Sequence, residues 1–261
     1  MVQFADAADG VRLAYETAGT GAPGMLFVHG WSCDRSYLAP QVRHFAARHA
    51  VAALDLRGHG GSGRPEPEPG TYDVDALAGD ALTVARAAGL DRPVVVGHSL
   101  GALVALACAA RPDLVRAAVL IEPPAMLPGP RKEHYELSVP DVAADHDGSW
   151  RRAFFERLFK PADVVRREET LAAANAQPAP VAAAVIGAMG RFDGAGALDR
   201  ASVPLLVITA GGGERALRDR PGLAFGRTVG AGHFCQLEVP EQVNPMIERF
   251  MAINEASGAA G

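Results

Sequence analysis

The sequence predicts an α/β fold with a mostly parallel sheet covered by helices on both faces. Three observations carry that expectation. Short unbroken apolar runs recur at Met25–Val28, Val51–Leu54, 94–96, Ala117–Ile121 and 205–208. Runs without polar alternation suit strands buried on both faces. Between them, apolar residues return at helical spacing: Leu38, Val42 and Phe45; Leu77, Ala81, Val84 and Ala88; Val243, Ile247, Phe250 and Met251. Strands alternating with such helices imply parallel pairing. Finally, each run ends in residues suited to turns or chemistry: His29-Gly30, Asp55, Gly97, Glu122 and Ala210-Gly211.

Bulk properties narrow the class. The chain has 261 residues, 49% of them apolar and 21% charged, enough apolar matter for one large core. A net charge of −5 without a long basic run gives no footprint for nucleic acid or an anionic membrane. The start, Met1-Val2-Gln3-Phe4-Ala5-Asp6, lacks the basic-then-apolar pattern of a signal peptide. No apolar run approaches the roughly 20 residues of a membrane span. Cys33, Cys108 and Cys235 are scattered, which suits neither a disulfide framework nor a zinc site. A soluble, cytoplasmic protein is expected, and nothing signals an oligomeric state.

Two segments break the strand–helix rhythm. Arg64-Pro65-Glu66-Pro67-Glu68-Pro69-Gly70 reads as an extended surface loop, because each Pro disfavours helix just before it. The stretch 123–202 shows no strand and reads as helices at 149–159, 162–176 and 181–189, separated by Pro161, Pro178 and Pro180. The organisation expected is a core of 1–122 and 203–254, a helical cap of 123–202, and a disordered small-residue tail of 255–261.

Val94-Val95-Val96-Gly97-His98-Ser99-Leu100-Gly101 reads as a strand, a sharp turn and a helix start, the G-x-S-x-G nucleophile elbow. The glycines leave room two positions either side of Ser99. The small residues 102–110 continue the helix, so Ser99 lies at a helix N-terminus that favours developing negative charge. Acyl transfer also needs oxyanion donors. The backbone N–H of Leu100 is one, and that of Trp31, in His29-Gly30-Trp31, is the other. The His29 side chain reads as structural.

Eight histidines are available as base. His233, in Gly230-Ala231-Gly232-His233-Phe234, sits late in the chain, in keeping with the order Ser, acid, His. His98 reads as pointing away from the nucleophile, His59 as structural, and His44, His49, His134 and His146 as solvated or packed.

Together these segments resemble the α/β-hydrolase superfamily. The resemblance rests on His29-Gly30, Asp55-Leu56-Arg57-Gly58-His59-Gly60-Gly61-Ser62, the elbow, and Gly232-His233-Phe234 before Leu237-Glu238-Val239-Pro240-Glu241. It implies an eight-stranded sheet with 123–202 as a lid, Ser99 as nucleophile, His233 as base, and Leu100 with Trp31 as oxyanion donors. The acid departs from the common pattern. Members usually carry Asp a few residues after the strand ending at Ile208, where this chain has Ala210-Gly211-Gly212-Gly213-Glu214. Some branches, including lactonases of the zearalenone type and haloalkane dehalogenases, place it after the strand that here ends at Glu122. Glu122 is therefore the first candidate, Glu214 the alternative and Asp219 a weaker third. A carboxylate at such a strand end is costly unless paired.

The mechanism expected is Ser99 attack on a carbonyl with His233 as base, needing no metal and no organic cofactor. The substrate expected is a small molecule with an apolar acyl or aromatic part. Trp31, Met126, Trp150, Phe155 and Phe159 are the candidate pocket residues, with Phe154, Leu158 and Phe192 near them. The Arg151-Arg152 and Arg166-Arg167 pairs read as solvated. Ester or lactone hydrolysis leads. Alternatives on the same triad are C–C bond hydrolysis of β-diketone-like substrates and cofactor-free perhydrolysis. Epoxide and haloalkane chemistry need Asp where Ser99 stands, and an intact Ser99 with His233 speaks against a mere binding protein.

Overall fold

A computed structural model describes residues 1–211 and 215–258. The chain opens with β1 (Gln3–Asp6), β2 (Arg12–Ala18) and β3 (Met25–Val28). A short 3-10 turn leads into α1 (Ala39–Phe45), followed by β4 (Val51–Leu54), α2 (Val74–Ala87), β5 (Val94–His98), α3 (Leu100–Cys108) and β6 (Ala117–Ile121). The helical insertion between β6 and β7, called the cap below for the place it was expected to take, carries α4 (Pro130–Leu137), α5 (Val139–Ala144), α6 (Ser149–Glu156), α7 (Arg167–Ala172), α8 (Ala179–Arg191) and α9 (Gly194–Arg200). The chain returns through β7 (Leu205–Thr209), α10 (Arg215–Arg218), β8 (Leu223–Arg227), α11 (Cys235–Glu238) and α12 (Pro240–Gly258).

Among the described residues, eight strands form one sheet in the order β1-β2-β4-β3-β5-β6-β7-β8. β2 runs antiparallel to β1 and β4, and every other pairing is parallel. Every residue of β3 to β7 is buried, as the unalternating apolar runs require. Successive side chains still serve opposite faces. Leu26, Val28, Val95, Leu120 and Val207 join one core with α2 and α3. Met25, Phe27, Val96, Val119 and Ile208 join the other, with Phe45 of α1 and Val243, Ile247 and Phe250 of α12. β3 lies between β4 and β5, so the chain departs to one side and returns on the other. That reversal opens a crevice at the strands' C-terminal ends, the usual place for a ligand in open α/β sheets.

The departures from the sequence reading lie at the edges. β1 escaped it because this edge strand is mostly exposed and carries no apolar run. In the cap, α4, α5 and α9 are additional, and the helix read at 162–176 is α7 plus a 3-10 turn at Ala173–Asn175. α12 continues to Gly258, so helix occupies much of the segment read as a disordered tail, while 259–261 lie outside the described residues. Its buried Val243, Ile247, Phe250 and Met251 anchor the helix, and extending a formed helix costs little.

The cap is tied down by polar contacts. Arg151, read as solvated, is only 1% exposed; Arg152 beside it is exposed. Arg151 Nε donates to Asp145 Oδ2 at 2.8 Å, and its terminal nitrogens donate to the carbonyls of Asp145 at 2.9 Å and Gln177 at 2.6 Å. Gln177 Nε2 donates to the Gly58 carbonyl at 3.1 Å and sits 3.2 Å from His59 Nε2. His59 is structural, as read: Nδ1 faces the Arg57 carbonyl at 2.9 Å, and burial pushes its pKa down to about 3. Arg166 pairs with Glu169, donates to Ser36 Oγ at 2.8 Å, and lies 4.1 Å from the centre of the Tyr37 ring.

Candidate active site

Ser99 stands at the tip of β5, between strand and helix. Its backbone has φ 53° and ψ −119°, a strained conformation for a residue with a side chain. The surrounding packing enforces it. A Cβ on Gly97 would lie 1.9 Å from the Gly101 carbonyl oxygen, and one on Gly101 2.1 Å from that of Val28. Only glycine fits at either position. The Ser99 N–H donates to the Ile121 carbonyl at 2.9 Å, which fixes the turn against β6. Leu100 opens α3, where first-turn amides have no helical acceptor. Gly30 lies against Ser99, since a Cβ there would come 3.1 Å from Ser99 Cβ. The next amide, Trp31 N–H, has no hydrogen-bond partner among the described residues. His29 is structural, with Nδ1 2.7 Å from the Gly30 carbonyl and Nε2 accepting from Leu56 N–H at 3.0 Å.

Glu122 directly follows β6, one strand over from Ser99. It too has positive φ, 46°, and its N–H donates to the Ile208 carbonyl at 2.8 Å. This strained corner turns the carboxylate across the end of β7. Oε1 accepts from Ala210 N–H at 2.5 Å, and Oε2 lies 3.3 Å from His233 Nδ1. Burial opposes ionisation of Glu122, but His233 and the Ala210 and Gly211 amides outweigh it and hold the carboxyl below its ordinary range. With Glu122 ionised, the proton of neutral His233 belongs on Nδ1, and Nε2 keeps its lone pair. Asp219 is exposed beyond α10, and Glu214 lies outside the described residues.

The His98 ring packs 4.7 Å from that of His233, and its Nε2 donates to the His233 carbonyl at 2.9 Å, a contact the sequence reading did not foresee. Burial, then the neighbouring His233, holds it neutral. The cap grips the same loop from the other side. His233 N–H donates to the Leu158 carbonyl at 3.1 Å, and Gly232 N–H to the buried Asp163 carboxylate at 3.0 Å. Asp163 also accepts from Lys160 N–H at 2.7 Å. The sequence held no sign of this, because Asp163 and Gly232 are far apart in the chain.

A cavity of about 520 Å³ joins these parts, lined by Ser99, His233, Gly30, Trp31, Cys33 and His98 below and by the cap above. Of the expected pocket residues, Trp31 and Phe155 line it, together with Phe154, Leu158 and Met189. Met126, Trp150 and Phe159 do not. Met126 is buried against Gly194, Trp150 stacks behind Phe154 at 5.6 Å, and Phe159 stacks on Phe234 at 4.9 Å. Helical spacing identified an apolar stripe but could not say which of its members faces the void. His134, read as solvated or packed, also reaches the wall, as do Arg131 and Tyr135 of α4. Among the described residues, no group of three or more His, Cys, Asp or Glu side chains is placed to hold a metal ion, and no single helix is long and apolar enough to cross a membrane.

Residues 25–246 match the alpha/beta hydrolase family. The chain belongs to that family. An esterase from Thermogutta terrifontis, solved with malate bound, superposes on this α/β hydrolase with a TM-score of 0.82 at 25% identity, covering 97% of this chain and 99% of that one. An enol-lactonase from Burkholderia xenovorans gives 0.79 at 24% identity, covering 96% and 100%, a likeness that shows the fold alone. A 2-(acetamidomethylene)succinate hydrolase from Mesorhizobium japonicum is 35% identical over 113 residues, 43% of this chain and 39% of its own length. The matched stretch thus spans well under half of that curated relative.

Proposed function

We propose that this α/β hydrolase cleaves carboxylic ester or lactone bonds through a covalent acyl-enzyme on Ser99. The observation that carries the reading is the contact of 3.3 Å between Glu122 Oε2 and His233 Nδ1, behind a cavity that Ser99 and His233 both line. Glu122 orients the imidazole, and His233 Nε2 takes the hydroxyl proton as Ser99 Oγ attacks the carbonyl carbon. The Leu100 and Trp31 amides receive the oxyanion, each lowering the barrier by about 3 kcal/mol. His233 then protonates the leaving oxygen, and water releases the acyl group by the same route. No metal or organic cofactor takes part in these steps. The apolar wall of Trp31, Phe154, Phe155 and Leu158 suits a substrate with an apolar acyl or aromatic part.

Hydrolysis of p-nitrophenyl butyrate and labelling by a fluorophosphonate test the reading. Wild-type protein should turn over the ester and take up one label, and Ser99→Ala should do neither. Unchanged turnover by Ser99→Ala would remove the nucleophile from the scheme.

A further inference from the structure

The cavity above Ser99 has apolar walls and a basic rim. Arg131 and His134 are three residues apart on α4, which puts them on one helix face, and both line the cavity while remaining exposed. Among the described residues, neither side chain has a hydrogen-bond or ion-pair partner. Four other cap arginines are paired, Arg151 with Asp145, Arg166 with Glu169, Arg167 with Glu156 and Arg191 with Asp73, whereas Arg152 is exposed and lies outside the cavity wall. No Asp or Glu lines the cavity among the described residues, and Glu122 sits behind His233 with both oxygens occupied. Among the described residues, the wall therefore presents positive charge at its rim and no negative group to answer it.

We infer that the natural substrate carries a free carboxylate, held by Arg131 with His134 beside it. A guanidinium presents two parallel N–H groups to a carboxylate, the pairing that planar anion recognition favours. The apolar body of the substrate then lies along Trp31, Phe154 and Phe155, between this anchor and Ser99. Which bond breaks rests on the ester-hydrolase reading; the anion subsite does not.

Two measurements separate these claims. Calorimetry compares binding of 4-phenylbutyrate with its neutral twin 4-phenylbutyramide, in wild type, Arg131→Gln and Arg152→Gln. Kinetics compare 4-carboxyphenyl butyrate with 4-carbamoylphenyl butyrate. The acid should bind at least about tenfold tighter than the amide, as expected for a charge-assisted hydrogen bond. That preference should vanish in Arg131→Gln and persist in Arg152→Gln, which removes the same charge outside the cavity wall. Equal binding, binding of neither, or a preference that survives Arg131→Gln overturns the subsite. If the acid is preferred through Arg131 but neither aryl ester is hydrolysed, the ester-hydrolase reading fails and the subsite stands. If both esters are cleaved and the ligands bind alike, the reverse holds.

Discussion

The sheet and the cap hold their polar groups in different ways. At the strand ends, the geometry of Ser99 and Glu122 is set mostly by backbone: glycines that alone fit, main-chain amides, and two residues forced to positive φ. In the cap, short helices are held by buried side chains that reach main-chain groups, through Asp145 with Arg151, Gln177 with Gly58, and Asp163 with Gly232. The candidate base lies between the two systems, since β6 supplies its carboxylate partner and the cap supplies its main-chain acceptor. The difference suggests that core substitutions change chemistry outright, whereas cap substitutions change stability and alignment.

The largest effect is expected at Glu122. Glu122→Gln should lower kcat by about three to four orders of magnitude, because an amide neither fixes the productive tautomer nor stabilises imidazolium. Glu214→Gln should leave kcat near the wild-type value. The opposite ranking would move the acid to the loop after β7 and dissolve the contrast drawn here.

Next comes the buried pair that supports the cap. Asp145→Ala leaves the Arg151 charge unpaired in a site 1% exposed and should cost about 3–5 kcal/mol, read by thermal unfolding and by earlier proteolytic cutting within 123–202. The pair also sets an acid limit. Burial opposes ionisation of Asp145, but Arg151 and the Trp150 and Arg151 amides hold its carboxyl below the ordinary range. A lowered native pKa contributes stability above the unfolded value of about 4, lost as pH falls through the native one. The Tm gap between wild type and Asp145→Asn should therefore be full at pH 7 and shrink at pH 3. A gap that stays constant would assign the stabilisation to packing.

Smaller effects test the grip on the base. Asp163→Ala strips an acceptor from Gly232 and Lys160 and should lower kcat about tenfold with little change in KM, as expected when a catalytic group is misaligned. A KM effect alone would make Asp163 part of substrate binding. Smallest is Gln177→Leu, which removes the hydrogen bond to Gly58 and should cost about 1 kcal/mol in chemical unfolding.

How legible each part was follows from its physics. β3 to β7 announced themselves because strands buried on both faces admit only apolar residues. The elbow was legible because its glycines answer a clash local to the chain. Glu122 was a candidate chiefly through the resemblance to branches that place the acid after this strand, and only the fold brings it to His233, 111 residues away. His98, Asp163 and the true cavity wall were not legible. Side-chain direction at a turn, and the face a short helix turns to a void, depend on packing partners distant in sequence.

By itself, then, the sequence determined a parallel α/β core, a sharp glycine-flanked turn at Ser99 and a helical insertion before 203, all consequences of local periodicity and local steric demand. Tertiary structure alone decided that Glu122 meets His233, which cap residues frame the cavity, and that Asp163 and His98 both hold the His233 loop. Those outcomes depend on the register of β6 against β7 and on how the cap seats over the strand ends, and neither is written in any one stretch of chain.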